Sequence, residues 1–318
     1  MAFHSGFACI LGRPNAGKST LLNALVGQKL AIVSPKPQTT RNRILGIIHA
    51  PASKRKTGGQ VVIIDTPGVH KADSSLDRKM MSEVREALDG CNLILLITDA
   101  TKKFGDADRA VLEMLEKSKT PAFLLLNKID LLRGGRGKLL PVIEAYSKLH
   151  RFQEVIPISA RKPEGLDILL EKLLAALPKG QPYFPEDQVT DQPMRFMVAE
   201  AIREQILFGT SEEVPHATTV VIEQFEEGAR LTRIAAAIYC EREGQKAILI
   251  GKQGAMLKQI GTLARLQIEK MVGTKVFLEL FVKVRSDWRE SHLFVEELDW
   301  RKQLLGLAGS VAETKSLR

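Results

Sequence analysis

The sequence predicts an α/β domain with a mostly parallel sheet, followed by a smaller α+β domain. Three observations predict this. Short apolar runs alternate with amphipathic stretches up to residue 177, the proline- and glycine-rich residues 178–185 have no helix or strand period, and the order of elements changes afterwards. The length of 318 residues, with 44% hydrophobic and 26% charged residues, fits about two globular domains.

The first domain, residues 1–178, alternates strand patterns with helix patterns. Strands are predicted at 7–11, 43–49, 61–64, 93–98, 122–126 and 155–158, and helices at 20–26, 76–88, 106–116, 138–149 and 165–177. Such an alternation forms a sheet with helices on both faces, and its ligands bind where the strands end. Residues that directly follow strands are therefore the candidates for function.

Residues 179–190 are predicted to form a linker, and residues 191–318 to form the second domain. In that domain we predict a helix at 194–208, strands at 216–225 and 231–240, a short helix ending at 250, a helix at 255–272, a strand at 275–284 and a C-terminal helix. No apolar run could span a bilayer and no signal peptide is visible, so we expect a cytoplasmic protein.

A phosphate-binding loop follows the first strand. The segment reads G-x-x-x-x-G-K-S and opens a helix, which is the context in which backbone N–H groups cradle phosphates. Lys18 is expected to neutralise the β and γ oxygens, and Ser19 to ligate Mg²⁺. The candidate residues are Gly12, Arg13, Pro14, Asn15, Ala16, Gly17, Lys18, Ser19 and Thr20.

A second motif, D-T-P-G, follows the strand at 61–64. The carboxylate of Asp65 is placed to hold the metal, either directly or through water, and the N–H of Gly68 to sense the γ-phosphate. The candidate residues here are Asp65, Thr66, Pro67, Gly68 and Val69.

A third motif, N-K-x-D, follows the strand at 122–126 and indicates which base is bound. Asp130 can accept hydrogen bonds from guanine N1–H and the N2 amine, whereas adenine has no donor at these positions. Asn127, Lys128, Ile129 and Asp130 are therefore candidate guanine-site residues, and the predicted ligands are GTP and GDP with Mg²⁺.

In this order the motifs resemble the translation-factor-related GTPases. Together with the second domain, the chain resembles the TrmE-Era-EngA-type GTPases that have a C-terminal KH domain and assist ribosome assembly in bacteria. The resemblance implies a P-loop GTPase domain and a type II KH domain. It also implies that Ser159 and Ala160 support the guanine and that Thr40, with Thr39 as the alternative, ligates Mg²⁺ in the first switch.

The resemblance also sets expectations for catalysis. Lys18, Thr40, Asp65 and Gly68 are expected to act on GTP hydrolysis, with Ser19, Thr40 and Asp65 as the metal site. Val69 stands where Ras-like enzymes have a water-orienting glutamine, so intrinsic hydrolysis should be slow. Asn15 matches an asparagine that binds K⁺ in potassium-stimulated relatives, and K⁺ stimulation is a further hypothesis.

The G-x-x-G segment between the two helices of the second domain predicts an RNA contact. Two glycines allow the close backbone approach that grips about four nucleotides. Residues 246–275 contain six cationic side chains and one acidic side chain, Glu269, which gives this segment a net charge of +5. The candidate RNA-binding residues are Ile250, Gly251, Lys252, Gln253, Gly254 and Lys258. Trp288 and Trp300 could extend the groove, but packing within the domain is favoured.

By the resemblance, the partners are small-subunit ribosomal RNA near its 3′ end and the small ribosomal subunit, and we expect a monomer. The positive net charge of the chain, +9, comes from the first domain, since residues 1–178 contain 27 Lys and Arg and only 17 Asp and Glu. Basic groups near the switches, at Lys36, Arg41, Arg43, Lys54 to Lys56, Lys71, Arg78 and Lys79, leave one alternative open: a membrane-associated GTPase whose KH-like region is a docking module. A second alternative is an RNA-binding protein whose nucleotide is structural and that does not switch.

Overall fold

The computed structural model describes residues 3–51, 58–69 and 72–301. These residues divide into two compact units, one made of residues 3–69 and 80–191 and the other of residues 72–79 and 192–301. Among the basic groups named above, Lys54 to Lys56 and Lys71 lie outside the described residues. None of the helices in the described part of the chain combines the length and the apolar character that a membrane crossing requires.

The first unit is built on a sheet that has, among the described residues, six strands. The strands are β1 (His4–Leu11), β2 (Ile44–Ala50), β3 (Gly59–Asp65), β4 (Leu93–Asp99), β5 (Ala122–Asn127) and β6 (Glu154–Pro157). Their order is β2-β3-β1-β4-β5-β6, and only the β2-β3 pair is antiparallel within this sheet of described residues. Strands β3, β4 and β5 are buried along their whole length, so they appear in the sequence as apolar runs without alternation.

Helices connect the strands of the first unit. They are α1 (Lys18–Val26), α2 (Ser75–Asp89), which belongs to this unit from residue 80 on, α3 (Asp106–Glu116), α4 (Leu139–Ser147) and α5 (Leu166–Ala176). Helix α1 starts two residues before its predicted start, because Gly17 caps it in a left-handed conformation directly after the loop. Because successive strands run parallel, the ends of β1, β3 and β5 bring three distant motifs to one edge of the sheet.

The predicted linker 179–190 makes ordered contacts with the sheet of the first unit. Gln60 is fully buried, its amide nitrogen donates to the Phe184 carbonyl (2.7 Å), and its amide oxygen accepts from the N–H of Tyr183 (2.7 Å). Farther on, Ile47 N–H donates to the Val189 carbonyl at 2.9 Å. The proline and glycine content of this segment predicts a flexible linker. In the structure, the side chain of one buried glutamine binds the linker backbone to the sheet.

The second unit contains a sheet of three strands within the described residues. They are β7 (Thr219–Glu226), β8 (Leu231–Cys240) and β9 (Lys275–Val284), with β7-β8 antiparallel and β8-β9 parallel. Helices α6 (Met194–Gly209), α7 (Glu243–Ile250), α8 (Ala255–Val272) and α9 (His292–Glu297) complete it. The core lies between the sheet and helices α6 to α8 and contains Ile202, Ile238 and Ile260. Strand β7 starts at Thr219 rather than at the predicted residue 216.

Candidate nucleotide-binding site and nucleic-acid groove

Pro14, Asn15 and Gly17 of the phosphate-binding loop form one wall of a cleft at the edge of the first sheet. Lys18 is buried, with 6% of its surface exposed, and its ammonium donates to the carbonyls of Gly12 (3.1 Å) and Arg13 (2.9 Å). Gly17 has φ +104°, and a Cβ there would lie 2.2 Å from Asn127 Nδ2. The loop is therefore closed by contacts that only glycine permits at this position.

Gly68, at the end of the D-T-P-G motif, lies against this loop. An added Cβ would stand 2.9 Å from Pro14 Cγ and 3.0 Å from the Pro14 nitrogen. The next N–H, of Val69, donates to the Gly12 carbonyl at 3.3 Å. Two motifs that are about 50 residues apart thus form one surface, and a side chain on Gly68 would separate them.

Three oxygen atoms converge beside the loop. The Ser19 hydroxyl donates to Asp65 Oδ2 at 2.6 Å and lies 2.8 Å from Thr40 Oγ1, which is 3.4 Å from the same carboxylate oxygen. Asp65 Oδ1 is buried and has no hydrogen-bond partner among the described residues. Hydroxyl and carboxylate oxygens with an unsatisfied lone pair are the donor set that Mg²⁺ prefers. The residues of this site therefore fit the implied ion.

The neighbouring threonine is oriented differently. Thr39 donates its hydroxyl to the Lys36 carbonyl at 2.7 Å, whereas Thr40 is 7% exposed and faces Ser19 and Asp65. The sequence left these two threonines as alternatives. The geometry supports Thr40 as the switch ligand that we propose.

Burial shifts the pKa values of the two charged groups of this site, Lys18 and Asp65, in opposite directions. Desolvation lowers the pKa of Lys18 to about 8, against the effect of the Asp65 carboxylate, which favours the ammonium form. Desolvation also raises the pKa of Asp65 to about 6, although the Lys18 ammonium and the hydroxyls of Ser19 and Thr40 act in the opposite direction. A ligand of opposite charge therefore stabilises the charged form of each group: phosphate stabilises the Lys18 ammonium, and a divalent cation stabilises the Asp65 carboxylate.

This desolvation predicts a pH-dependent stability for protein free of metal and nucleotide. The folded pKa of Asp65, about 6, exceeds its ordinary value of 3.8, so proton uptake stabilises the fold fully below pH 3.8, and this contribution is lost as the pH rises through 6. We expect Asp65→Asn to be more stable than the unmodified chain at pH 7.5, by ~3 kcal/mol at most, and this advantage to shrink towards pH 4. Denaturant unfolding in EDTA across this pH range measures it. An advantage that is the same at every pH would contradict the prediction.

The base side of the site is formed by the ends of β5 and β6. Asn127 donates from Nδ2 to the Ala16 carbonyl (2.9 Å) and accepts the Ala160 N–H on Oδ1 (3.0 Å). The ammonium of Lys128 bonds to the Asn15 carbonyl at 2.7 Å and to Asp99 Oδ2 at 2.8 Å. Two side chains of the third motif therefore hold the phosphate loop in place.

Asp130 is half-buried, and its Oδ1 accepts from the Ser159 hydroxyl at 2.7 Å. Ser159 is fully buried, so this bond fixes the orientation of the carboxylate. The N–H of Ile129 donates to the Ile158 carbonyl at 3.3 Å and joins the two loops. The structure thus brings the predicted guanine residues into one place.

The remaining predicted nucleotide residues lie in the same region. Thr20 lines the cleft with Pro14, and Thr66 donates its hydroxyl to the Ile10 carbonyl at 2.7 Å, next to Pro67. Ile32, Val33 and Ser34 also line the cleft. Sequence reasoning did not find these three, since they belong to no motif.

The second unit has a groove between α8 and β9. Gly254, Lys258, Gly261 and Arg265 lie along one wall, and Val276, Phe277, Leu278 and Leu280 lie along the other. Helix and strand approach closely here, since a Cβ on Gly261 would lie 3.3 Å from Leu280 Cδ1. Phe277 is 48% exposed. An apolar floor with cations at its rim is suited to unstacked bases and their phosphates.

The G-x-x-G segment lies at the end of this groove. Gly251 has φ +70°, and a Cβ there would stand 2.7 Å from Met256 Cβ, so the loop needs glycine to turn. The residues between the two glycines form a turn in which Gln253 is left-handed, at φ +52°, and Gly254 caps α8 at φ +79°. Both residues between the glycines, as well as Lys258, are exposed or half-buried, whereas Ile250 is half-buried at the end of α7.

The two tryptophans pack inside the second unit. Trp288 is fully buried and donates from Nε1 to the Ala217 carbonyl at 2.8 Å, and Trp300 is 8% exposed with its ring 6.1 Å from that of Phe196. They support the fold of this unit and do not line the groove, as the sequence analysis favoured.

Comparison with known proteins identifies two domain families in the chain. A family model described as "50S ribosome-binding GTPase" matches residues 7–128, and a KH domain model matches residues 213–289. A protein named GTPase Era from Syntrophus aciditrophicus is 47% identical over 302 residues, which are 94% of this chain and 96% of the relative. GTPase Era from Ruminiclostridium cellulolyticum is 45% identical over 95% of this chain and 99% of its own length.

Two solved structures match most of the chain. A crystal structure of Era in complex with MgGDPNP and nucleotides 1506–1542 of 16S ribosomal RNA has a TM-score of 0.87 at 38% identity, covering 92% of this chain and 98% of that one. A point variant of Aquifex aeolicus Era bound to GDP and AlF4⁻ has a TM-score of 0.86 at 38% identity, with the same coverage. The predicted fold class, a P-loop GTPase domain followed by a KH domain, is confirmed.

Proposed function

This chain belongs to the Era family of GTPases, and on that premise we propose that it is a GTP-controlled RNA-binding switch that binds the 3′ end of small-subunit ribosomal RNA and assists maturation of that subunit. The observation that carries this proposal is the groove between α8 and β9, with its apolar floor, its cationic rim and the two-glycine loop at its end. The solved Era relative whose complex includes nucleotides 1506–1542 of 16S ribosomal RNA supports this choice of partner.

GTP is hydrolysed at the cleft of the first unit, and the side chains of this chain have defined tasks there. Lys18 and the loop N–H groups neutralise phosphate charge that develops in the transition state. Ser19, Thr40 and Asp65 would hold Mg²⁺, and the bound ion would supply positive charge that neutralises the phosphates. We propose that Thr40 leaves this site when the γ-phosphate is lost, so that the segment before β2 reports the nucleotide state.

A titration with RNA tests the proposal. An RNA that copies nucleotides 1506–1542 of 16S ribosomal RNA is titrated with the full chain in the presence of Mg²⁺ and either GDPNP or GDP. We expect at least ~10-fold tighter binding in one nucleotide state, which corresponds to a coupling free energy of ~1.4 kcal/mol. Equal affinity with the two nucleotides would favour an RNA-binding protein whose nucleotide is structural.

Ion pairs favour this reading over a membrane-associated GTPase. Arg43 lies 3.5 Å from carboxylate oxygens of both Glu83 and Glu86, and Lys79 is 3.0 Å from Asp299. These cations, counted in the sequence as a basic surface, are partly neutralised inside their own units. We propose a cytoplasmic monomer. Tighter binding to anionic lipid vesicles than to the RNA would instead support peripheral contact with the membrane.

We also propose that K⁺ stimulates hydrolysis. Asn15 lies in the wall of the cleft at φ +61°, and its Nδ2 donates to the Pro35 carbonyl (2.8 Å) in the segment before the switch threonines. A monovalent cation held there would add positive charge where an arginine finger acts in other GTPases. Faster hydrolysis in KCl than in NaCl is the expected result, and equal rates would remove the hypothesis.

A further inference from the structure

Asp108, in the first turn of α3, is a buried carboxylate outside the nucleotide motifs. It is 2% exposed, and three donors converge on it: the Arg13 guanidinium (2.9 Å) and the Gly105 N–H (3.0 Å) on Oδ2, and the Tyr146 hydroxyl (2.6 Å) on Oδ1. A buried charge is stable only when it is paired and hydrogen-bonded. Asp108 is therefore the centre of a network that has a fixed geometry.

Tyr146, on α4, is held as firmly as the carboxylate. It is 2% exposed, its hydroxyl lies 2.9 Å from Thr98 Oγ1 at the end of β4, and its ring meets that of Phe104 edge-on at 5.0 Å. Burial raises the pKa of Tyr146, so the phenol keeps its proton and acts as a donor to Asp108. The network is thus tied to α3, to α4 and to the central sheet.

Arg13 connects this network to the phosphate loop. Its guanidinium points to Asp108, while its own carbonyl accepts from the Lys18 ammonium (2.9 Å) and from the Ala16 N–H (3.3 Å). The other part of the loop is held at the Asn15 carbonyl by Lys128, at 2.7 Å. Two anchors, one on each side of Pro14, therefore determine where the loop backbone lies.

We propose that Arg13, Asp108 and Tyr146 are positioning residues for GTP hydrolysis, which hold the backbone at residues 12–14 so that the loop N–H groups and Lys18 meet the phosphates in the reactive geometry. Displacement of catalytic groups by about 1 Å can lower a rate by a factor of 100, so an anchor outside the site can control the reaction. The role is independent of RNA, and it concerns hydrolysis itself.

Single-turnover GTP hydrolysis without RNA tests this role in a double-mutant cycle. We expect Arg13→Ala and Asp108→Asn each to lower kcat/KM about tenfold, and the double variant to lose about tenfold rather than a hundredfold, since both changes break one anchor. Tyr146→Phe removes a single donor to Asp108, so its kcat/KM should fall by less than that of Arg13→Ala or Asp108→Asn. Arg13→Lys, which keeps a cation near the carboxylate, should recover part of the rate.

Two further measurements separate positioning from general damage. The affinity for GDP should fall more than that for GMP, each competed against a fluorescent GDP analogue, because the anchor acts on the phosphate side. The preference for guanine over adenine nucleotides should stay unchanged. The melting temperature should fall, because the buried carboxylate of Asp108 loses a partner, so hydrolysis is compared at a temperature at which every variant is fully folded. Asp106→Asn is the matched control, since this carboxylate is exposed in the first turn of the same helix. The proposal would be overturned if both single variants hydrolysed GTP at the rate of the unmodified chain, or if the two losses in kcat/KM multiplied in the double variant.

Discussion

Asp130→Asn should lower the affinity for GTP by about 10³ to 10⁴ and create affinity for xanthosine triphosphate. Asp130 is fixed by Ser159 with its carboxylate at the end of β5. Guanine presents two donors to this carboxylate, and asparagine would face one of them with its own N–H₂ group. Sites that hydrogen-bond a substrate group reject analogues without that group by about 10⁴ to 10⁵, and a smaller loss is expected here because the asparagine oxygen still accepts from one of the two donors. Xanthine has an oxygen at C2, which can accept from the new amide.

Competitive binding of GTP, ATP and xanthosine triphosphate to the two proteins measures the change. Asp167→Asn, an exposed carboxylate in the first turn of α5, is the matched control and should leave all three affinities unchanged. If Asp130→Asn kept its preference for GTP, the assignment of the base site would be wrong. Tighter binding of ATP than of GTP by the unmodified chain would contradict it as well.

Gly254→Asp should weaken binding of the 16S RNA fragment about 100-fold and leave GTP hydrolysis without RNA unchanged. A Cβ at Gly254 meets no atom within 4 Å, so the carboxylate would extend from the loop into solvent beside the groove. There it would repel the phosphates that the loop grips. Loss of two charge-assisted hydrogen bonds, at about 1.5 kcal/mol each, corresponds to this factor.

Gly273→Asp is a close control for this change. Gly273 caps the other end of α8 at φ +73°, also with no atom within 4 Å of an added Cβ, so both variants place aspartate in a left-handed conformation. The 18-residue helix separates the two sites by ~27 Å. Equal RNA affinity for the two variants would show that the loop does not contact the RNA. Measuring hydrolysis and melting temperature of both variants excludes a folding defect.

Order and type of most elements followed from the sequence. Helix α3 and strands β8 and β9 have the predicted bounds, and helix α8 does as well. Apolar periodicity and glycine punctuation are local properties, so they can be read without knowledge of the partners that the chain meets in space. The motifs at Lys18, Asp65 and Asp130 are equally local, since each is a short string next to one strand.

Tertiary structure decided which of several local alternatives is used. Both Thr39 and Thr40 have a hydroxyl, and only the packing of the first switch turns one of them towards Ser19 and Asp65. The segment 179–190 reads as a free linker, yet Gln60, more than 120 residues earlier, holds its backbone. The strength of such contacts depends on how deeply the groups are buried, and burial of this kind cannot be predicted from a local sequence pattern.

The sequence by itself determined which chemistry this protein has: a guanine nucleotide, a divalent cation and a nucleic-acid loop, because each needs particular residue types at short spacings. Only the tertiary structure decided how these parts are held, as in the pairing of Arg13 with Asp108, 95 residues apart. The physical reason is that a buried ion pair is specified by two distant positions and their shared environment. Neither arginine nor aspartate differs, along the chain, from a residue on the surface.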